Sequence, residues 1–192
     1  MKLLEVIQQH FGYPPLLKVD PNTQHVVQDS KSHPEEKFSQ AAIPTVLIGL
    51  YKYTLTDIGA QAVLSGGNSS NWVKEIFPGY NDEVVKRVAN YSGYSNDETN
   101  EKLNDIATKA AEVVRNAVAP KSDILSVKNF MAAQRPNILP FLPAELHIGE
   151  LVQDPTIDDK TNKMEGPISS FMHAVGDAFS TPDKDEKMNK AL

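Results

Sequence analysis

Apolar positions recur at helical intervals along almost the whole chain, and they are densest in Ala41-Ala-Ile-Pro-Thr-Val-Leu-Ile-Gly-Leu-Tyr51. Ile43, Val46, Leu47, Leu50 and Tyr51 share one face of an α-helix, and Ile48 extends the apolar surface to another, which places this helix in the middle of the fold. Ser32-His-Pro-Glu-Glu supplies a cap candidate, a proline for the first turn and acids that favour the positive end of the helix dipole, so the helix begins near Pro34. Pro44 lies inside it and predicts a kink or a break near residues 40–44, since an internal proline costs about 3 kcal/mol.

The rest of the chain follows the same period. Leu3, Leu4, Ile7 and Phe11 predict a short amphipathic helix over residues 2–11, ended by Gly12 and Pro14-Pro15. Residues 16–27 fit either a small hairpin around Asp20-Pro-Asn or a loop. Thr56-Asp57 caps a helix carrying Ile58, Ala62 and Val63, which Ser65-Gly66-Gly67 stops. Asn71 caps a short helix over Trp72–Phe77, and Asn81 caps Asp82–Tyr91, which Gly93 closes. Ser95-Asn-Asp-Glu98 has the spacing of a capping box, opening a long helix lined by Leu103, Ile106, Ala107, Ala110, Val113, Val114, Ala117 and Val118. Ser122-Asp123 caps the next helix, with Ile124, Leu125, Val127, Phe130 and Met131 facing inward, until Arg135-Pro136 interrupts it. Residues 136–152 mix prolines with large apolar side chains, the pattern of short helical turns. Gly166-Pro167 opens a last amphipathic helix through Phe171, Met172, Val175 and Phe179.

The pattern predicts an all-α fold, a bundle of short helices interrupted by proline turns, with one helical domain over residues 1–180 and a solvated tail over 181–192. The chain has 192 residues, 40% of them hydrophobic and 23% charged, with a mean hydropathy of −0.37, in keeping with a globular domain with one core. Its net charge of −6 and pI near 5.4 disfavour nucleic acid as a partner. No cysteine is present, which removes disulfides, thiolate metal sites and cysteine nucleophiles. The apolar run around residue 46 is too short for a membrane span, which needs roughly 20 residues. Glu5 and Gln8 interrupt the apolar residues of the N-terminus before a signal-peptide centre can form, so a cytoplasmic location is expected.

Two segments together resemble a known family. Phe38-Ser-Gln-Ala-Ala-Ile-Pro-Thr-Val-Leu-Ile-Gly-Leu50, followed by Gly59-Ala-Gln-Ala-Val-Leu64, is similar to the first helix pair of the bacterial YidB-like family. Phe130-Met-Ala-Ala-Gln-Arg-Pro-Asn-Ile-Leu-Pro-Phe-Leu-Pro-Ala-Glu-Leu146 resembles its later pattern, where a glutamine precedes a Leu-Pro-Ala step. The likeness covers residues 1–152 loosely. This chain departs from the family in being charged where the family is rich in Gly, Ser and Gln linkers. The resemblance implies a mostly helical bacterial domain and brings no catalytic residues.

Candidate chemistry is sparse. Glu145, His147 and Glu150 form the one close carboxylate–imidazole grouping, and on a helix His147 and Glu150 would share a face and offer two ligands to a divalent metal. No second histidine or His-Glu-x-x-His arrangement completes such a site, so a surface turn is the plainer reading. Ser65-Gly-Gly-Asn-Ser-Ser-Asn lacks the Lys-Ser/Thr pair of a phosphate-binding loop and reads as a helix end with its connector. No Gly-x-Ser-x-Gly elbow exists, and the histidines at 10, 25, 33, 147 and 173 have no spacing suited to a catalytic serine. The expected function is a non-enzymatic scaffold or interaction module without cofactor. Its partner is a protein or a second copy, bound through Phe171, Met172, Val175 and Phe179. The alternative is a small-ligand or metal-binding protein, or an unfamiliar hydrolase, using Glu145, His147 and Glu150.

Overall fold

Thirteen consecutive residues without one exposed side chain would be unusual in an amphipathic helix, yet every residue from Phe38 to Leu50 is buried. They belong to α2 (Pro34–Thr54) of the computed structural model, which describes residues 1–20, 26, 33–66, 71–119 and 121–158. Around α2 stand α1 (Leu3–His10), α3 (Asp57–Ser65), α4 (Trp72–Ile76), α5 (Asn81–Ser92), α6 (Asn96–Val118) and α7 (Ile124–Ile138), and each of them packs against it. The chain then closes with the 3-10 turns Leu139–Phe141 and Ala144–Leu146, the single-turn α8 (Ile148–Leu151) and a last 3-10 turn, Pro155–Ile157. The fold is therefore all-α, with a helix apolar on every side at its axis, as such a helix requires. One compact unit spans Met1–Thr161; the expected final helix, with Phe171, Met172, Val175 and Phe179, and the tail 181–192 lie outside the described residues.

Several helix ends form as the sequence dictates. Thr56 accepts from the Gly59 amide, Asn71 from Lys74, Ser95 from Glu98 and Asp123 from Ser126, so each oxygen satisfies one of the amides left open at a helix start. Gly66 and Gly93 end α3 and α5 with φ of 85° and 84°, a conformation that glycine adopts without steric cost. Two expected caps differ. Asn81 is the first residue of α5, not its cap, and its side-chain amide donates to Asp82. His33, without a side-chain hydrogen bond, holds the cap position of α2.

Neither internal proline ends its helix. α2 runs through Pro44 without the break that is one of the two expected outcomes there, and α7 runs through Pro136 against the expected interruption. At Pro44 the surrounding helices bury the turn on all sides, and that packing outweighs the missing hydrogen bond. Pro136 and Ala132, whose carbonyl it cannot bond, are both exposed, so water can serve that carbonyl.

Close approach to α2 sets the neighbouring elements. Gly49 leaves room for the Phe77 ring, and a Cβ there would lie inside van der Waals contact of its edge. Gly59 lies so close to the Tyr53 carbonyl that no side chain fits. Trp72, Ile76 and Phe77 are buried, as their spacing predicts. In contrast Leu125, expected to face inward, and Ala117 of the α6 apolar series are exposed, as is Ile58. In the 16–27 segment, Val19 and Val26 meet in an isolated antiparallel bridge and no strand forms among the described residues. Residues 21–25 and 27 of this segment lie outside them.

Candidate functional site

The carboxylate–imidazole grouping sits on the turn between Ala144–Leu146 and α8. His147 adopts φ 45° and ψ 45°, and α8 begins only at Ile148, so His147 and Glu150 do not share a helical face as a metal pair would need. Arg87 of α5 organises this turn. Its Nη1 donates to the carbonyls of Leu146 (3.1 Å) and His147 (2.7 Å) and to Glu150 Oε2 (3.1 Å), while its Nε donates to Glu83 Oε1 at 2.9 Å. From the other side the Asp158 carboxylate accepts from the amides of Gly149 (2.8 Å) and Glu150 (3.2 Å). A side chain at 149 would collide with Asp158 and with the Asp154 carbonyl, so glycine is needed there.

The electrostatics follow from this clamp. Partial burial works against the charge of Arg87, but the hydrogen bonds with Glu83 and Glu150 outweigh it and raise the guanidinium above its ordinary range. The hydrogen bond from Arg87 lowers Glu83. One turn along α5, burial and then the charge of Glu145 push the Tyr91 phenol up to about 12. His147 contributes its carbonyl to the clamp, and its side chain is exposed. Among the described residues, no three His, Asp or Glu side chains converge to hold a metal ion. What the grouping does is lock a strained turn onto α5.

The other sequence candidates are equally structural or lie elsewhere. Gly66 ends α3, and residues 67–70 of the glycine–serine loop are outside the described residues, as are His25 and His173. His10 meets Phe11 edge-to-face at 4.9 Å and starts a run of rings through Tyr13 and Phe38 to Tyr94. At the end of this run the Lys102 ammonium lies 5.9 Å from the Phe38 ring centre and 5.6 Å from that of Tyr94, a cation held by two aromatic faces.

Sequence reasoning missed two glutamines. Gln40 Oε1 accepts from the Leu17 amide at 2.8 Å, and its Nε2 donates to the carbonyls of Leu17 (3.0 Å) and Phe141 (2.7 Å). Gln134 Oε1 accepts from the Leu3 amide at 2.9 Å and its Nε2 donates to the Met1 carbonyl at 3.3 Å. Each side-chain amide imitates a peptide group and ties the N-terminal segment to the bundle.

Large apolar side chains remain in solvent at the α2–α3 junction and in the first turn of α7. Leu55 is 41% exposed, Ile58 78% and Leu125 65%. Lys128 of α7 pairs with Asp57 of α3 at 2.6 Å, which fixes the start of α3 beside the first turns of α7. No described helix is long and apolar enough to cross a membrane. Comparison with protein-family models, curated proteins and solved structures finds no match to this chain.

Proposed function

We infer that this protein is a non-enzymatic helical interaction module. One observation carries the reading: at the turn of Glu145, His147 and Glu150, Arg87 and Asp158 are spent on holding backbone in place. A catalytic or metal-binding grouping keeps donors free and convergent, whereas this one is engaged with its own turn. The module works in the cytoplasm and binds a protein, in line with the helical domain without transferable catalytic residues that the YidB-like resemblance implies.

Thermal denaturation with zinc, manganese and a set of small metabolites tests this against a ligand-binding or hydrolytic role. The melting temperature is expected to stay constant with every additive, and His147→Ala to melt close to the parent because its ring is exposed. A saturable rise with one additive, abolished in His147→Ala or Glu150→Gln, would overturn the reading.

A further inference from the structure

We propose that residues 144–158 form a strap latched to the bundle by charge, and that protonation of its carboxylates opens it as one unit while the bundle stays folded. The strap carries Glu145, Glu150, Asp154 and Asp158 and neither lysine nor arginine. Three helices meet it with cations. Arg87 of α5 holds the carbonyls of Leu146 and His147 and the Glu150 carboxylate, Lys52 near the end of α2 pairs with Asp154 at 3.1 Å, and Arg135 of α7 donates to Thr156 at 3.1 Å. The turns within the strap depend on two of the same acids: Asp158 accepts from the amides of Gly149 and Glu150, and Asp154 from the amide and hydroxyl of Thr156. On the α5 side Glu83 and Tyr91 also face it, through Arg87 and Glu145 respectively, while the His147 ring is exposed.

Burial of Leu146, Ile148, Leu151 and Ile157 favours the closed strap, but its backbone works the other way. α8 is a single turn, too short to persist alone, and it packs chiefly on Pro155–Ile157. His147 and Gln153 hold φ of 45° and 55°, a region that a side chain disfavours, so opening relieves strain. The charged ties therefore decide the balance. Burial works against the charge of Asp154, yet the hydrogen bonds from Thr156 and Lys52 outweigh it and lower its pKa from the ordinary 3.8. A carboxyl lowered by closure stabilises the closed strap above its open-state pKa, and that contribution is lost as the pH falls through the closed-state value.

Amide NMR of the full chain, titrated from about pH 7 to about pH 3, tests this. The amides of Gly149, Glu150 and Thr156 are expected to move to open-chain positions with one common midpoint, while those of Ala107 and Ala110 in α6 keep their folded positions. Lys52→Gln and Arg87→Gln each remove a tie, so both are expected to raise that midpoint. At neutral pH both are expected to speed hydrogen exchange in the strap, Arg87→Gln at least roughly tenfold, with α6 unchanged. Lys109→Gln breaks an ion pair within α6 and is expected to leave the strap midpoint where it was. Loss of strap and α6 signals at the same pH, separate midpoints for the three strap amides, a strap still closed at the lowest pH, or an unmoved midpoint in both Lys52→Gln and Arg87→Gln would each overturn the proposal.

Discussion

Two kinds of buried polar side chain sit side by side in this core, and they carry opposite consequences. Gln40 and Gln134 satisfy backbone groups that would otherwise be orphaned, and removing one leaves those groups buried at about 1–3 kcal/mol. Gln40→Ala, which strands two carbonyls and an amide, is therefore expected to destabilise more than Gln134→Ala in urea unfolding. The hydroxyls of Thr45 and Thr99 are buried without a hydrogen-bond partner among the described residues. Replacing each with the near-isosteric valine removes an unmet polar group, so Thr45→Val and Thr99→Val are expected to leave stability unchanged or raise it by about 1 kcal/mol. A loss above that size in either valine variant would show that the hydroxyl has a partner. None of this was legible in the sequence. Gln40 acts on residues 23 and 101 positions away and Gln134 on residues 131 and 133 positions away, so no local pattern could reveal them.

Helix boundaries are where local sequence spoke most clearly, because a cap is decided within four residues. Thr56, Asn71, Ser95 and Asp123 all cap as their spacing predicts. Thr56→Ala and Ser95→Ala are each expected to lower stability by about 1 kcal/mol. Asn81→Ala is expected to cost under about 0.5 kcal/mol, since Asn81 lies within the helix and bonds only its neighbour. Equal losses in the three variants, read from denaturant midpoints, would refute the cap assignments. The prolines show the limit of local rules. Pro44 and Pro136 carry the same sequence signal for a break, yet tertiary burial in one helix and solvent access in the other let both helices continue. Exposure was similarly hidden: Ile58 and Leu125 continue an apolar pattern, but the Asp57–Lys128 pair marks a face of α3 and α7 that no other described helix covers.

At the level of the Met1–Thr161 unit, α2 is the axis of the helices packed on it, and these put tyrosines at half-buried positions. Tyr13, Tyr53 and Tyr91 are each pushed up to about 12, first by burial. For Tyr53 the hydrogen bond to Glu75 adds to it, and for Tyr13 and Tyr91 so do nearby carboxylates, Glu35 and Glu145 foremost. A phenol whose folded-state pKa lies above its unfolded value of 10.0 stabilises the fold while it keeps its proton. That contribution is complete below pH 10 and disappears as the pH rises through about 12. Helical circular dichroism is therefore expected to fall together with part of the rise in tyrosinate absorbance between those values. Tyr91→Phe removes one of the three linked protons and keeps the ring, so its alkaline unfolding should be less steep and centred at higher pH. If every phenol titrated near pH 10 while the helices stayed intact, the rings would be solvated, and the packing of α5 against the Arg87-held turn would be wrong.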